Sequence, residues 1–240
     1  MPPAYSIDLA YVHDSGFTRF ARRAAPELIR ILRKRGIRSG VVVDVGCGSG
    51  PIAAPLVEAG YDVIGIDSSP AMIRLASARA PRARFRVGSL TAAHIPRCDA
   101  AIALNEVINY VPRQRLLPLR AFFARVYHAL RPGGVLLLDF MASPDGRTYP
   151  AKSRAGRDWA IVARASFDRA TNVLTREITT FRKVGRDYRR MKETHRVTPY
   201  PAAEVRDLLT RAGFDVTMGR SYGRLRLLPG DVAAIAQKPV

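Results

Sequence analysis

The chain has 240 residues, of which 48% are hydrophobic and 25% are charged, and its formal net charge is +19. A chain of this length buries one substantial core, and the composition is that of a globular domain, which excludes a largely disordered protein. The charge points to an acidic partner, either nucleic acid or an anionic membrane surface. The other interpretation is a solvated basic surface, because the basic residues are mainly arginines scattered along the whole chain.

The two cysteines, Cys47 and Cys98, provide neither a disulfide framework nor the spacing of a metal site. No run of about 18 or more apolar residues occurs, and the N-terminus shows no apolar signal segment. We therefore expect a cytoplasmic protein that holds no metal ion and does not span a membrane. Its oligomeric state stays open.

The first clear helix pattern runs from Phe20 to Arg35 and stops at Gly36, a residue typical of helix C-caps. An aromatic and polar segment, residues 8–20, precedes it. The apolar side of the predicted helix is formed by Ala24, Leu28, Ile31 and Leu32.

The stretch Val41-Val-Val-Asp-Val-Gly-Cys-Gly-Ser-Gly50 predicts a buried parallel strand that ends in a tight loop. Glycine lets the backbone adopt positive φ and lets a ligand approach the main chain. Pro51 follows at a position suited to the start of a helix. We therefore expect free amide donors and the positive end of a helix dipole to face a ligand above the strand.

The spacing of the glycines decides between ligands. A dinucleotide fingerprint would need a third glycine at position 51, which is Pro51, and no Gly-Lys-Ser/Thr of a phosphate-binding loop follows. The pattern that remains is Asp44-x-Gly46-x-Gly48-x-Gly50. It resembles the first motif of the class I S-adenosylmethionine-dependent methyltransferases, and the resemblance implies S-adenosyl-L-methionine as the cofactor.

Further along the chain, apolar segments alternate with helix patterns. Ala129-Leu-Arg-Pro-Gly-Gly-Val-Leu-Leu-Leu138 also resembles this family, and the likeness covers roughly residues 40–140. It implies an α/β fold, a seven-stranded Rossmann-like methyltransferase sheet with helices on both faces. The predicted strands after the first span residues 62–67, 84–89, 98–104, 135–140, 214–218 and 232–236, and the predicted helices span residues 52–59, 70–80, 116–130 and 201–212.

Three extended segments, residues 158–167, 173–181 and 188–198, are separated by turn residues and predict an inserted antiparallel β meander. Such an insertion resembles the substrate cover of small-molecule methyltransferases, including sugar N-methyltransferases. Residues 144–150 are expected to be irregular. We predict one domain over residues 1–240, divided into an N-terminal lid region (1–36), a cofactor-binding core (37–143), a meander cover (150–200) and a closing helix and hairpin (201–240).

Asp67 ends the second predicted strand next to the glycine loop, where a carboxylate can accept hydrogen bonds from both ribose hydroxyls. Its alternative role is to cap the following helix. Met72 resembles the residue of the family that lies against adenine, and core packing is its alternative. Ser89 stands where the family usually has an acidic residue. The full predicted cofactor set is Asp44, Gly46, Cys47, Gly48, Gly50, Asp67, Ser68, Met72, Ser89, Leu90 and Asn105.

Three residues are candidates for the chemistry. Histidine as a residue type has an unperturbed pKa close to neutral, so His195 is a candidate to take a proton from the acceptor, although a single histidine is often structural. Tyr11 belongs to Asp8-Leu-Ala-Tyr11, which resembles the start of several small-molecule members, with Ile7 in place of a tyrosine; packing is its alternative. Glu106 follows the fourth strand and is expected to face the transferred methyl group or the substrate. Tyr110 is expected on the same side, and its alternative role is that of an aromatic residue that caps a helix.

We therefore expect methyl transfer from S-adenosyl-L-methionine to an N or O nucleophile of a small-molecule acceptor. One alternative acceptor is RNA or another macromolecule that binds the basic surface, with an affinity that falls steeply with salt. A third hypothesis is a non-catalytic module that only binds the cofactor. A deep pocket would favour the small molecule, and an open basic groove would favour RNA.

Overall fold

The computed structural model describes residues 5–112, 116–143 and 151–240, and for Leu116 it describes the backbone alone. The predicted irregular segment, residues 144–150, lies outside the described residues. The described helices are α1 (Ile7–Gly16), α2 (Arg19–Lys34), α3 (Ala53–Glu58), α4 (Pro70–Arg79), α5 (Leu116–Ala129) and α6 (Ala202–Arg211), with a 3₁₀ helix at Val107–Tyr110.

The strands form three sheets. Their bounds are β1 (Gly40–Val45), β2 (Tyr61–Asp67), β3 (Arg84–Val87), β4 (Cys98–Ala103), β5 (Leu130–Met141), β6 (Lys152–Ala155), β7 (Trp159–Asp168), β8 (Val173–Val184), β9 (Asp187–Val197), β10 (Asp215–Gly219), β11 (Ser221–Tyr222), β12 (Leu225–Arg226) and β13 (Asp231–Gln237).

The main sheet has seven strands in the order β10-β13-β5-β4-β1-β2-β3, which confirms the predicted architecture. Strands β1 to β5 run parallel, while β13 is antiparallel to β5 and β10 is antiparallel to β13. From β1 the chain adds β2 and β3 on one side, and it then crosses over to add β4 and β5 on the other side of β1. The carboxyl ends of β1 and β4 therefore border a topological switch point, where open α/β sheets bind their ligands.

Each face of the main sheet carries its own apolar core. On one face α5 and α6 pack through residues such as Phe122, Phe123 and Leu209. On the other face α2 and α3 pack through Leu28 and Leu56. The strands contribute to both cores because side chains alternate along a strand and the central strands are covered on both sides. The edge that remains open is the carboxyl end of the parallel strands.

Strand β5 is longer than the predicted strand at residues 135–140, since it begins at Leu130 and takes in the Pro-Gly-Gly segment. Cys98 pairs with Leu130, and the pairing resumes at Ala100 with Val135. Residues 131–134 of β5 therefore lie opposite the single residue Asp99 of β4, and the ladder is irregular there, with Gly133 at φ +76°. Proline and glycine are also found at β-bulges, so the pattern of these residues did not show that the strand begins before them.

The predicted meander is confirmed as a separate antiparallel sheet in the order β6-β7-β8-β9. Strand β6 was not predicted, because its four residues are all exposed and carry no alternating pattern. The short hairpin of β11 and β12 was missed as well, since two residues per strand are too few to show a period. The closing pair of β10 and β13 was predicted and is confirmed.

Helix α1 is held to the meander through a buried ion pair. Asp8 is fully buried and receives two hydrogen bonds from Arg189, each 2.6 Å long. A third contact, from Arg182, is longer at 3.4 Å. Hydrogen bonds from Arg189 lower the pKa of Asp8, so the ion pair is present above the ordinary aspartate range and is lost as the pH falls through the lowered value.

We expect Arg189→Ala to release α1 from the meander, because it leaves the Asp8 carboxylate buried with one long contact. The cost should be about 2 kcal/mol, less than for a fully buried pair because Arg189 is half exposed. Hydrogen exchange of residues 7–16 should accelerate by more than tenfold. The matched control is Arg190→Ala, whose side chain leaves the other face of β9. Equal exchange rates in both variants would contradict this role of the ion pair.

In the parts of the chain that the structure describes, no helix combines the length and apolar character needed to cross a membrane. Within the same residues, no three His, Cys, Asp or Glu side chains are grouped as a metal site would require.

Candidate functional site

A cavity of about 380 Å³ opens at the carboxyl edge of the main sheet, beside the switch point. Its wall joins the glycine loop, the ends of β2 to β4, the 3₁₀ helix and the N-terminal segment. The residues that line it are Tyr5, His13, Phe17, Thr18, Ala21, Gly46, Cys47, Gly48, Ser49, Pro51, Asp67, Ser68, Met72, Gly88, Ser89, Leu90, Thr91, Leu104, Asn105, Val107, Tyr110 and Val111. The volume lies within the range of small-molecule sites.

Two glycines of the loop serve different purposes. Gly46 has φ +76°, and a Cβ there would lie 2.9 Å from Cγ1 of Val107 and closer still to its Cγ2. Glycine at position 46 therefore lets the 3₁₀ helix approach the loop. Gly48 has φ +53°, and no described atom lies within 4 Å of a Cβ built there. The space above Gly48 is thus left for a ligand.

The expectation of free amide donors in this loop is wrong. The amides of Gly46 and Cys47 both donate to the carbonyl of Ile66, and the Gly48 amide donates to Asp67. The hydrogen bonding between the parallel strands continues past the end of β1, so these donors face β2. The helix that follows starts at Ala53 rather than at Pro51 and has six residues, so a helix dipole adds little here.

Asp67 faces the cavity at the tip of β2. One carboxylate oxygen accepts from the Gly48 amide at 2.9 Å and the other accepts from the Ser69 amide at 2.8 Å. Burial raises the pKa of Asp67, and these two amides oppose the shift. The cap of α4 is Ser69, whose hydroxyl accepts from the Met72 amide at 3.2 Å. Asp67 is therefore fixed by two donors with further lone pairs available to a ligand.

The predicted adenine side of the cavity is mainly apolar. Met72 is 2% exposed and lies on the wall against Tyr5 and Ala10. Ser89 lines the same wall and shares a hydrogen bond of 3.1 Å with Thr91. The carbonyl of Leu90 accepts from Arg125, which anchors this stretch to α5. An apolar slot with a few polar groups suits an aromatic base.

Two carboxyl groups lie behind the cavity wall. Asp44 is 2% exposed, and no described group makes a hydrogen bond to its Oδ2. Burial and the neighbouring charge of Asp67 raise the pKa of Asp44 to about 7. Burial likewise raises the pKa of Asp139 to about 7, and its Oδ1 accepts from the amide of Glu106 at 3.0 Å. A cationic ligand nearby would favour the ionised form of both carboxyl groups.

Asp139 stabilises an unusual turn after β4. Asn105 and Glu106 both have left-handed conformations, with φ of 64° and 62°. Such values cost non-glycine residues free energy and are common at functional sites. The turn places Asn105 on the cavity wall and directs the Glu106 carboxylate to Arg176, 2.6 Å away on β8.

Of the predicted catalytic residues, His195 lies next to the cavity. Its ring is 4% exposed, with Nδ1 3.1 Å from the Tyr110 hydroxyl and Nε2 3.1 Å from Glu193. Tyr110 lines the cavity, whereas His195 lies one layer behind it. Glu106 is also set back from the wall, paired with Arg176.

Tyr11 does not reach the cavity wall. Its hydroxyl donates to Asp158 at 2.5 Å, and its ring lies 3.9 Å from the Arg182 guanidinium. The ring belongs to the apolar contact between α1 and Trp159. Because helix α1 turns this side outward to the meander, the packing alternative describes Tyr11, and the assignment of Tyr11 to the chemistry is corrected.

The tyrosine of the N-terminal segment that lies on the cavity wall is Tyr5, which is outside the motif Asp8-Leu-Ala-Tyr11. Tyr5 lines the cavity at φ 66°, and burial together with the neighbouring Tyr110 hydroxyl raises the pKa of Tyr5. The amides of Tyr5 and Ser6 both donate to Glu193 at 3.0 Å, and the Tyr5 carbonyl accepts from Ser69 at 2.7 Å. We call residues 5–6 the N-terminal strap.

His13 was also missed, because nothing in its local pattern marks it. It lines the cavity between the rings of Tyr5 and Phe17. Burial lowers the pKa of His13 to about 4, so its imidazole is neutral at pH 7.

Comparison with known proteins agrees with this geometry. Residues 42–134 match a family described as a methyltransferase domain. Trans-aconitate 2-methyltransferase from Methylobacterium radiotolerans is 34% identical over 154 residues, which cover 60% of this chain. That alignment spans 55% of the relative, so the chain corresponds to about half of its length.

Solved structures share the fold over nearly the whole chain. The sugar N-methyltransferase KedS8 from Streptoalloteichus sp aligns with a TM-score of 0.80 and 20% identity, covering 98% of this chain and 94% of that one. CalS10 from Micromonospora echinaspora, an amino pentose methyltransferase with S-adenosylmethionine bound, aligns with a TM-score of 0.76 and 20% identity, covering 98% and 97%. At this identity the likeness concerns the fold. The matched domain adds that residues 42–134 are similar in sequence to a methyltransferase domain.

Proposed function

We propose that this protein transfers a methyl group from S-adenosyl-L-methionine to a nucleophilic N or O atom of a small molecule. The proposal rests on one observation, that Asp67 lies on the cavity wall next to the open space above Gly48. Side chains plugging the space above Gly48, or an Asp67 turned out of the crevice, would have argued against a cofactor site. The sugar and amino pentose activities named for the structural neighbours also support a small acceptor.

The residues assigned to the cofactor follow from their places on the wall. Asp67 would accept hydrogen bonds from the ribose, while Met72 and the stretch from Ser89 to Leu90 would enclose the adenine. The amino-acid end would lie towards the glycine loop and Asn105, where the buried Asp44 favours a cation. When bound, the cofactor supplies a methyl group on a sulfonium, whose leaving group is a neutral thioether.

The chain's own task in such a reaction is to align the acceptor and exclude water. Tyr5, His13 and Phe17 close one side of the cavity with aromatic rings. The remaining parts of the predicted organisation, the lid, the cover and the division at residues 36, 143 and 200, stay predictions.

The charge of the wall favours a small acceptor over RNA. The chain carries 39 lysines and arginines, yet the described residues that line the cavity include none of them. Asp67 is the acidic residue on this wall. A phosphate backbone needs cations along its path, so the cavity interior suits neutral or cationic ligands.

Calorimetry with S-adenosylhomocysteine tests the cofactor site. We expect binding of one molecule per chain. Release of S-adenosylhomocysteine with a panel of glucosamine, glucose, trans-aconitate and total RNA then distinguishes acceptor classes. No binding by folded protein would overturn the proposal, and turnover with RNA alone would replace the acceptor. Binding without any turnover on a wider acceptor panel would support the non-catalytic module.

A further inference from the structure

Three polar groups form a line that runs from the meander into the cavity. Glu193 and His195 are two residues apart on β9 and therefore leave the same face of the strand. Nε2 of His195 is 3.1 Å from Glu193, and Nδ1 is 3.1 Å from the Tyr110 hydroxyl. Tyr110 is the member of this line that lines the cavity.

The surroundings of Glu193 set the direction of these hydrogen bonds. Besides His195, the carboxylate accepts from the amides of Tyr5 and Ser6 and from the Ser6 hydroxyl at 2.5 Å. Although burial acts in the opposite sense, donation by His195 and Ser6 lowers the pKa of Glu193, so it is ionised at neutral pH. An ionised acceptor requires the imidazole to present Nε2–H, which leaves Nδ1 free to accept from Tyr110.

The 3₁₀ helix fixes Tyr110 relative to the cofactor site. Side chains three residues apart in such a helix lie one above the other. Val107 contacts the loop at Gly46, so Tyr110 leaves the same side of the helix, one turn further from the glycine loop. The Tyr110 ring also meets the His195 ring edge-on, with the ring centroids 5.8 Å apart.

Several other charged or titratable groups surround Glu193, His195 and Tyr110, and they lie on the elements that pack against these three residues. Arg176 pairs directly across from His195 in the β8–β9 register, and its charge is balanced by Glu106 at 2.6 Å. His13 faces the cluster from α1, but its lowered pKa makes it a poor proton acceptor. The groups that face His195 or Tyr110 are thus Tyr5, His13, Asp67, Glu106, Arg176 and Glu193.

We propose that Tyr110, His195 and Glu193 are a proton relay, and that the acceptor is an aliphatic amine that enters as its ammonium ion. This inference rests on the proposed function. The N–H bond of the ammonium breaks, and its proton moves to the Tyr110 oxygen while the Tyr110 proton moves to Nδ1 of His195. The resulting imidazolium is stabilised through Nε2–H by Glu193. The freed amine takes the methyl group, and the relay returns one proton to solvent per turnover.

The relay selects an amine because of how strongly each acceptor holds its proton. An aliphatic ammonium has an ordinary pKa of about 10.4 and an imidazolium has one of about 6.5, so the proton transfer spans roughly four pKa units. An alcohol holds its proton far more tightly and would need a stronger base or a metal ion. A carboxylate acceptor has no proton to lose at neutral pH, so it would leave the relay without a role.

Nitrogen-15 NMR of histidine-labelled protein tests the relay without any acceptor. With S-adenosylhomocysteine bound or absent, the neutral form of the His195 ring should carry its proton on Nε2. Tyr110→Phe should shift the Nδ1 signal while leaving the His94 signal and S-adenosylhomocysteine affinity unchanged within twofold. The control is Tyr127→Phe, the same change on α5. A neutral ring with its proton on Nδ1, or no response to Tyr110→Phe, would overturn the relay.

The second test measures the rate of methyl transfer to the acceptor that the panel identifies. At pH 7, Tyr110→Phe should lower kcat about 100-fold or more, with little change in KM for the cofactor. The fold-loss in kcat should become about tenfold smaller for each pH unit above 7, because a larger fraction of the amine then binds in its unprotonated form. A loss that is constant with pH, or an acceptor methylated only on oxygen, would overturn the inference. Failure of cofactor binding would instead overturn the proposed function, so the two failures are distinguishable.

Discussion

Asp67→Ala should weaken S-adenosylhomocysteine binding about 100-fold or more. The carboxylate lines the cavity and is held by the amides of Gly48 and Ser69, with lone pairs left for two ligand hydroxyls. Two hydrogen bonds to a charged acceptor contribute about 3 kcal/mol in total, which corresponds to about 100-fold in affinity. Calorimetry at pH 7.5 measures the change.

The matched control for Asp67→Ala is Asp62→Ala, which removes an exposed carboxylate near the start of the same strand. Asp62 is five residues from the cavity edge, so its loss should leave affinity within twofold of the original protein. Thermal unfolding of both variants checks that the cofactor loop is still folded. If Asp67→Ala retained affinity within threefold, the ribose assignment would be wrong and Asp67 would be a structural acceptor only.

Gly46→Ala should destabilise the protein by about 3 kcal/mol and lower Tm by roughly 6–12 °C. A Cβ at this position meets the branched side chain of Val107, at φ +76°. Valine is stiff about χ1, so it cannot turn aside without moving the 3₁₀ helix. Tyr110 lies on that helix, and cofactor affinity should fall together with stability.

A double-mutant cycle separates the clash from the backbone strain in Gly46→Ala. Val107→Ala removes the opposing methyl groups, so the double variant should be more stable than the sum of the two single changes by about 1 kcal/mol. Gly60→Ala is the control for strain alone, since Gly60 has φ +96° with no described atom within 4 Å of its Cβ. Its cost should be about 1 kcal/mol. Simple additivity in the cycle would show that the contact with Val107 does not matter.

The order of elements was predictable because it is recorded in short-range patterns. Three local patterns, each shorter than ten residues, predicted the strands of the main sheet correctly. They are the apolar run before Gly46, the apolar run that ends in Asp67, and the Pro-Gly-Gly segment with the apolar run after it. The free amides of the glycine loop were predicted wrongly for a related reason. A local pattern shows that donors exist, but Ile66, the acceptor that takes two of them, lies on another strand.

The chemistry-bearing contacts could not be read from the sequence, because they join distant segments. His195 meets Tyr110 across 85 residues, and Ser6 meets Glu193 across 187. The spacing of Glu193 and His195 places both side chains on one face of a strand, but the sequence does not show that Tyr110 on the 3₁₀ helix contacts His195. Tyr5 was missed because the family motif was matched from Ile7 onward, two residues too late.

The N-terminal strap makes access to the cavity a question of local unfolding. Its Tyr5 carbonyl accepts from Ser69, which caps α4 on the cofactor side, while its two amides donate to Glu193 on the meander. One dipeptide thus fastens the two walls to each other. The Ser6 hydroxyl also donates to Glu193. A ligand too large to pass between the walls enters or leaves only when these four hydrogen bonds break together, so its residence time and the fraying of the chain's first helix depend on one barrier.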